Sequence, residues 1–151
     1  MHNECFESFR DTLEEFMELN GFANVERFAD TSGIPRPSLD GWLKGTNRPS
    51  LGSAVRTADF CRYSLDYMFG LRDENAFIES RERTNFYERF VLLAKNSGLT
   101  DYAISKHCKI SSGTIAKWRY HGNLPQIPKL ISLAELFGCS LDYLAGRSDN
   151  L

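Results

Sequence analysis

Cysteine is scarce and dispersed in this chain: four residues, at positions 5, 61, 108 and 139 of 151. No two lie close enough in sequence for the paired thiolates of a zinc site, and a cytosolic chain has little use for disulfides, so free thiols are expected. Cys61, Cys108 and Cys139 fall where the helical pattern wants a small apolar residue and are expected to be buried. Histidine is scarcer still. His2, His107 and His121 have no acid or nucleophile at motif spacing, and the chain lacks a nucleophile elbow, a P-loop and a dinucleotide-binding glycine pattern. Close carboxylates such as Glu14 and Glu15 belong on a solvated helix face. The expectation is a protein that is not an enzyme and needs no cofactor or metal.

Long apolar runs are missing too, since nothing approaches the ~20 residues that cross a bilayer. The opening Met1-His2-Asn3-Glu4-Cys5-Phe6-Glu7 carries acids where a secretory signal needs basic and then apolar residues. A cytoplasmic protein without membrane contact is expected. There is no basic excess either: net charge is −2, which argues mildly against a nucleic-acid partner. The charge is uneven, however. Residues 1–75 hold eight Lys and Arg against thirteen Asp and Glu, whereas residues 76–151 hold ten against seven. The second half is the basic half.

What the chain does have is an internal repeat. Displaced by 76 residues, it aligns with itself: Ile34 with Ile110, Ser38 with Thr114, Leu39 with Ile115, Trp42 with Trp118, Pro49 with Pro125, Ala58 with Ala134. The run Ser64-Leu65-Asp66-Tyr67-Met68-Phe69-Gly70 meets Ser140-Leu141-Asp142-Tyr143-Leu144-Ala145-Gly146. Upstream the better displacement is 77, pairing Phe9 with Phe86, Leu13 with Phe90, Phe16 with Leu93 and Gly21 with Gly98, which we read as one residue missing from the first copy between Phe22 and Phe28.

Apolar residues within each copy recur with helical period, as in Phe9, Leu13, Phe16 and Met17 or Phe86, Phe90 and Leu93, and no stretch alternates as a strand does. Punctuation divides each copy into about five short helices. Gly21 and Gly98 close the first, Ser111 caps the third of copy two, and Ser64 and Ser140 cap the fifth, with Asp66 and Asp142 in the first turn. The predicted fold is all-α. Domains are expected over residues 1–71 and 85–147, a charged linker, as coil or part helix, over 72–84, and a tail over 148–151. The stretch from Leu71 to about Asn85, fully extended, reaches about 45–50 Å, enough for two units about one DNA turn apart.

The second copy, from Gly98-Leu99-Thr100-Asp101-Tyr102-Ala103-Ile104-Ser105-Lys106-His107-Cys108 through Lys109-Ile110-Ser111-Ser112-Gly113-Thr114-Ile115-Ala116-Lys117-Trp118, resembles the helix-turn-helix of the Cro and phage-repressor (Xre) family. Pro125 and the ending Ser140 to Gly146 complete the resemblance, which covers nearly the whole chain, counted twice. It implies two tandem five-helix lambda-repressor-like DNA-binding domains, in which the third helix of each enters the major groove of double-stranded DNA. Copy one keeps Phe28, Ala29, Ile34, Leu39 and Trp42, but its third helix opens Pro35-Arg36-Pro37 and carries Asp40 and Gly41. Where the family often places a phosphate-contacting Gln at the start of the second helix, copy two has Asp101, and copy one has Val25, or Asn24 if the gap lies later.

A helical wheel sorts the third helix independently of the family. Ile115 and Trp118 lie about 60° apart at ~100° per residue and mark the buried side. Gly113, Ala116, Lys117 and Tyr120 are left facing outward, with Ser112 at the helix start, where hydroxyl and backbone N–H groups meet phosphate. Lys106, Lys109, Lys117 and Arg119 surround that face with no acid between residues 102 and 134, and His107 and His121 add to them when protonated. The expected roles are base contacts for Ala116 and Tyr120, a guanine or phosphate contact for Lys117, and backbone positioning for Ser112, Lys106 and Arg119. In copy one the same wheel turns Pro37, Asp40, Gly41 and Lys44 outward, with Arg36 and Arg48 nearby. A carboxylate there repels phosphate, although it can accept from a cytosine amino group. That copy is expected to bind DNA weakly or differently, or to serve a homodimer contact or a protein partner. Trp42 and Trp118 are expected to pack the core, Tyr67 and Tyr143 to pack the last helix of each copy, and Phe60 and Phe77 to form an exposed contact surface. The function expected is a sequence-specific, repressor-like regulator, the alternative being an antitoxin-like or accessory protein-interaction module. No residue pattern argues for an effector ligand.

Overall fold

In the computed structural model, residues 3–151 are described, and among them the chain forms ten α-helices and no strand. It divides into two compact units, the first through Phe77 and the second from Ile78. No helix of the described residues is long and apolar enough to cross a membrane.

The first unit is built from α1 (Asn3–Leu19), α2 (Val25–Ser32), α3 (Arg36–Lys44), α4 (Leu51–Cys61) and α5 (Leu65–Met68). Apolar spacing buries Cys5, Phe9, Leu13 and Met17 of α1, and Gly21 ends the turn that follows at φ +71°. Short polar residues start α2, α4 and α5: the side chains of Asn24, Ser50 and Ser64 accept from the N–H groups of Arg27, Ser53 and Tyr67. The core is aromatic. Phe9 stacks on Phe69 at 5.0 Å and meets Trp42 edge-on at 5.5 Å. Phe28 lies 6.1, 5.1 and 5.4 Å from Phe16, Phe22 and Phe60. Phe60 is thus half-buried in a ring cluster rather than part of an exposed contact surface, and Phe77 is half-buried as well.

The second unit follows the same order: α6 (Phe86–Ser97), α7 (Asp101–Cys108), α8 (Ser112–Tyr120), α9 (Ile127–Phe137) and α10 (Leu141–Leu144). From α2 and α7 onward, corresponding helices start and stop 76 residues apart. The one-residue difference upstream lies in the turn before them, where Phe22, Ala23 and Asn24 stand against Leu99 and Thr100. Copy one therefore has the longer turn, and the expected deletion is an extra residue; Val25 and Asp101 each open their helix.

Trp118 packs edge-on against the stacked pair Phe86 and Phe90, at 5.6 and 5.8 Å. Arg89 closes the unit from inside. Its guanidinium lies 3.9 Å from the Tyr143 ring centroid and donates to the carbonyls of Tyr143 and Ser148, both at 2.9 Å, and to Asp149 at 3.1 Å. The corresponding position of the first unit, 77 residues earlier, is Thr12, whose hydroxyl bonds back to the Ser8 carbonyl. Buried Arg147 pairs with buried Asp142. Residues 148–151 therefore include a packed segment: Ser148 is buried, and the Asn150 carbonyl accepts from Ser140 Oγ.

Between the last helix of one unit and the first of the next, residues 71–85 contain no helix. Asn75 is fastened to the first unit, its side chain accepting from Ser64 N–H at 2.7 Å and donating to the Arg62 carbonyl at 3.0 Å. Ser80 and Thr84 are fastened to the second through the Arg147 and Gly146 carbonyls. Two cysteines depart from expectation as well: Cys5 and Cys61 are buried, but Cys108 and Cys139 are half-buried.

Candidate nucleic-acid interface

The helix-turn-helix segment of the second unit is α7, a tight corner and α8. Lys109 turns the corner in the left-handed region at φ 55°, donating its N–H to the Ser105 carbonyl, and the Ser105 hydroxyl bonds to the Ile110 carbonyl. Ser111 then caps α8, its side chain accepting from Thr114 N–H at 3.1 Å. Ile115 and Trp118, 0% and 2% exposed, anchor the inner side of α8.

The outer side carries Ser112, Gly113, Lys117 and Tyr120, all exposed, with Ala116 half-buried between them. Tyr120 is 76% exposed, and a methyl group added at Gly113 would meet open space. Lys106 is exposed on α7 with its ammonium 5.5 Å from the Tyr102 ring centroid. Tyr102, 68% exposed, is a surface residue the helical wheel did not single out, because the wheel treated only α8. Lys109, His107 and His121 are exposed too. Among the described residues Lys106, Lys109 and Lys117 form no ion pair.

Arg119 differs from these lysines. Its Nε donates to Asp101 Oδ1 and Oδ2 at 3.0 and 2.8 Å, and its Nη2 donates to Oδ1 at 2.7 Å. The guanidinium also lies 5.0 Å from the Phe90 centroid. The hydrogen bonds to Asp101 push the Arg119 pKa up, against the opposing effect of burial. Its charge is spent within the unit.

In the first unit the corresponding helix, α3, is differently disposed. Arg36 stands between two acids, 3.7 Å from Glu26 and 3.6 Å from Asp40, so the Asp40 carboxylate faces its own helix's cation. Lys44 is exposed, and the Arg48 guanidinium sits 4.7 Å from the Phe6 centroid. Gly41 is buried, contrary to the wheel: a Cβ there would lie 2.5 Å from Asn47 Cβ, because the loop after α3 folds back over it. The wheel sees only the helix itself and could not register that loop. Position 117 of the second unit, which holds the exposed Lys117, is the counterpart of Gly41.

Among the described residues no group of three or more His, Cys, Asp or Glu is placed to hold a metal ion. No family model matches the chain, and no curated protein does. A solved structure of a transcriptional regulator from Listeria innocua is 30% identical to it, with a TM-score of 0.40 over 46% of this chain and 65% of that one.

Proposed function

We propose that the chain is a cytosolic, repressor-like, sequence-specific DNA-binding regulator, in which the second unit places α8 in the major groove of double-stranded DNA. The observation that carries this reading is the outer face of α8 with the α7 corner beside it: a capped, exposed helix start and exposed Lys117 and Tyr120 on α8, and Lys106, Lys109 and Lys117 without acidic partners. Lys106 and Ser112 hold the phosphate backbone, Lys117 contacts guanine or phosphate, and Ala116 and Tyr120 meet base edges. Gly113 lets the duplex approach closely.

A second reading applies to the first unit. With Arg36 engaged by Glu26 and Asp40, and Gly41 covered by Asn47, its α3 offers phosphate little. Contact with another protein, or with a second copy of this chain, suits it better.

Selection of bound duplexes from a random DNA pool tests both. The parent chain and Lys44→Ala should enrich one common sequence, and Lys117→Ala should enrich none. Affinity should fall with salt, each phosphate contact contributing about 0.9 to the slope of log K on log salt. No enrichment by the parent even at low salt refutes the DNA reading and leaves protein interaction in its place.

A further inference from the structure

Arg119 has the charge of a phosphate contact and belongs to the helix proposed to read DNA, yet three of its N–H···O bonds converge on Asp101. Asp101 is the first residue of α7, and Phe90, under the same guanidinium, belongs to α6. One side chain therefore ties α8 to both helices behind it. A planar guanidinium held along one edge by its Nε–H and Nη2–H fixes orientation as well as distance, which a lysine ammonium cannot do. Lys117 and Tyr120 flank Arg119 on the same helix, so a rotation of α8 moves them directly.

The chain supplies its own comparison. At the positions 76 residues earlier, the first residue of α2 is Val25 and the counterpart of Arg119 in α3 is Leu43, both half-buried. The same corner is thus joined by a charged pair in one unit and occupied by two apolar residues in the other. Neither choice is required for a helix pair to form, and an ion pair exchanged for apolar residues of suitable size is often neutral for stability.

We infer that Asp101 and Arg119 form a latch that sets α8 against α7, and that Arg119 is a positioning residue for DNA reading, not a phosphate contact. The inference rests on the DNA-binding reading above. It makes Asp101, at the helix start where the resembled family often has a phosphate-binding glutamine, a partner of the protein's own arginine. A neutralised pair also keeps the sole acid of this segment from repelling the DNA backbone.

The full-length parent, Arg119→Lys, Arg119→Leu and the double variant Asp101→Val/Arg119→Leu are titrated with the selected duplex and with an unrelated duplex, over a range of salt. Thermal unfolding of each variant identifies any that fails to fold. The latch predicts that Arg119→Lys, which keeps the charge but loses the fork, binds the selected duplex roughly fivefold more weakly with little change on the unrelated one. Arg119→Leu, which leaves Asp101 unpaired, should be weaker on both. The double variant, carrying the first unit's own apolar pair, should recover most of the selected affinity at the parent's salt slope.

A phosphate contact predicts the reverse pattern: Arg119→Lys near the parent, and a double variant that stays weak with its slope reduced by about 0.9. That pattern overturns the latch while the DNA reading stands. A parent that binds no duplex overturns the DNA reading, and the latch as a device for it, and this shows in the parent titration alone.

Discussion

Burial at single residues separates the side chains that build this protein from those available to a partner. Ile115 and Trp118 are core, as their phase on the helix requires, and Trp118→Ala should lower the unfolding free energy by about 3–5 kcal/mol in a urea titration. Lys117→Ala, on the opposite side of the same helix, should leave that free energy within about 0.5 kcal/mol. Cys61 gives a pH test. Burial pushes its thiol up to about 12 from an ordinary 9.0, so the folded state holds the proton more tightly than the unfolded one. Its contribution is complete below pH 9 and is lost as pH rises from there toward 12. The melting temperature of Cys61→Ala should accordingly decline less steeply than the parent's across that alkaline range. Cys108 shows where residue-level reading stops: its place in the helical pattern is that of a core residue, but the residue is half-buried and its thiol donates to the Ser132 carbonyl at 3.6 Å.

Helix ends, rather than helix interiors, carry much of the local information. Every capping serine expected from the sequence, Ser64, Ser111 and Ser140, accepts from the backbone N–H three residues on. Ser111→Ala should destabilise the second unit by about 1 kcal/mol in thermal unfolding. Glycines divide by environment. Gly146, at φ +82°, would bring a Cβ within 2.5 Å of the Thr84 backbone, so Gly146→Ala should cost at least about 1–3 kcal/mol for the left-handed conformation alone. Gly113, inside α8 and facing open space, should give the opposite sign: Gly113→Ala stabilises by about 0.5–1 kcal/mol. Measured on the selected duplex, the same variant should bind more weakly, which would separate stability from recognition in one substitution.

Across the whole molecule, contacts far apart in sequence decide how the second unit closes. Arg89 reaches the Ser148 carbonyl and Asp149, 59 and 60 residues on, and the Asn150 carbonyl receives Ser140 Oγ. Deleting residues 148–151 should therefore lower the urea midpoint of the second unit, followed by Trp118 fluorescence in a Trp42→Phe background; an unchanged midpoint would mean these bonds contribute nothing net. By itself the sequence determined the helical class, the caps, the 76-residue correspondence and the inner face of α8, because each follows from periodicity or from groups within a few residues of one another. Only tertiary structure decided that Gly41 is covered, that Arg119 is committed to Asp101, and that the connecting segment is fastened at Asn75, Ser80 and Thr84. Those outcomes depend on which groups of opposite charge or matching shape the fold brings together, and no local pattern of residues encodes that meeting.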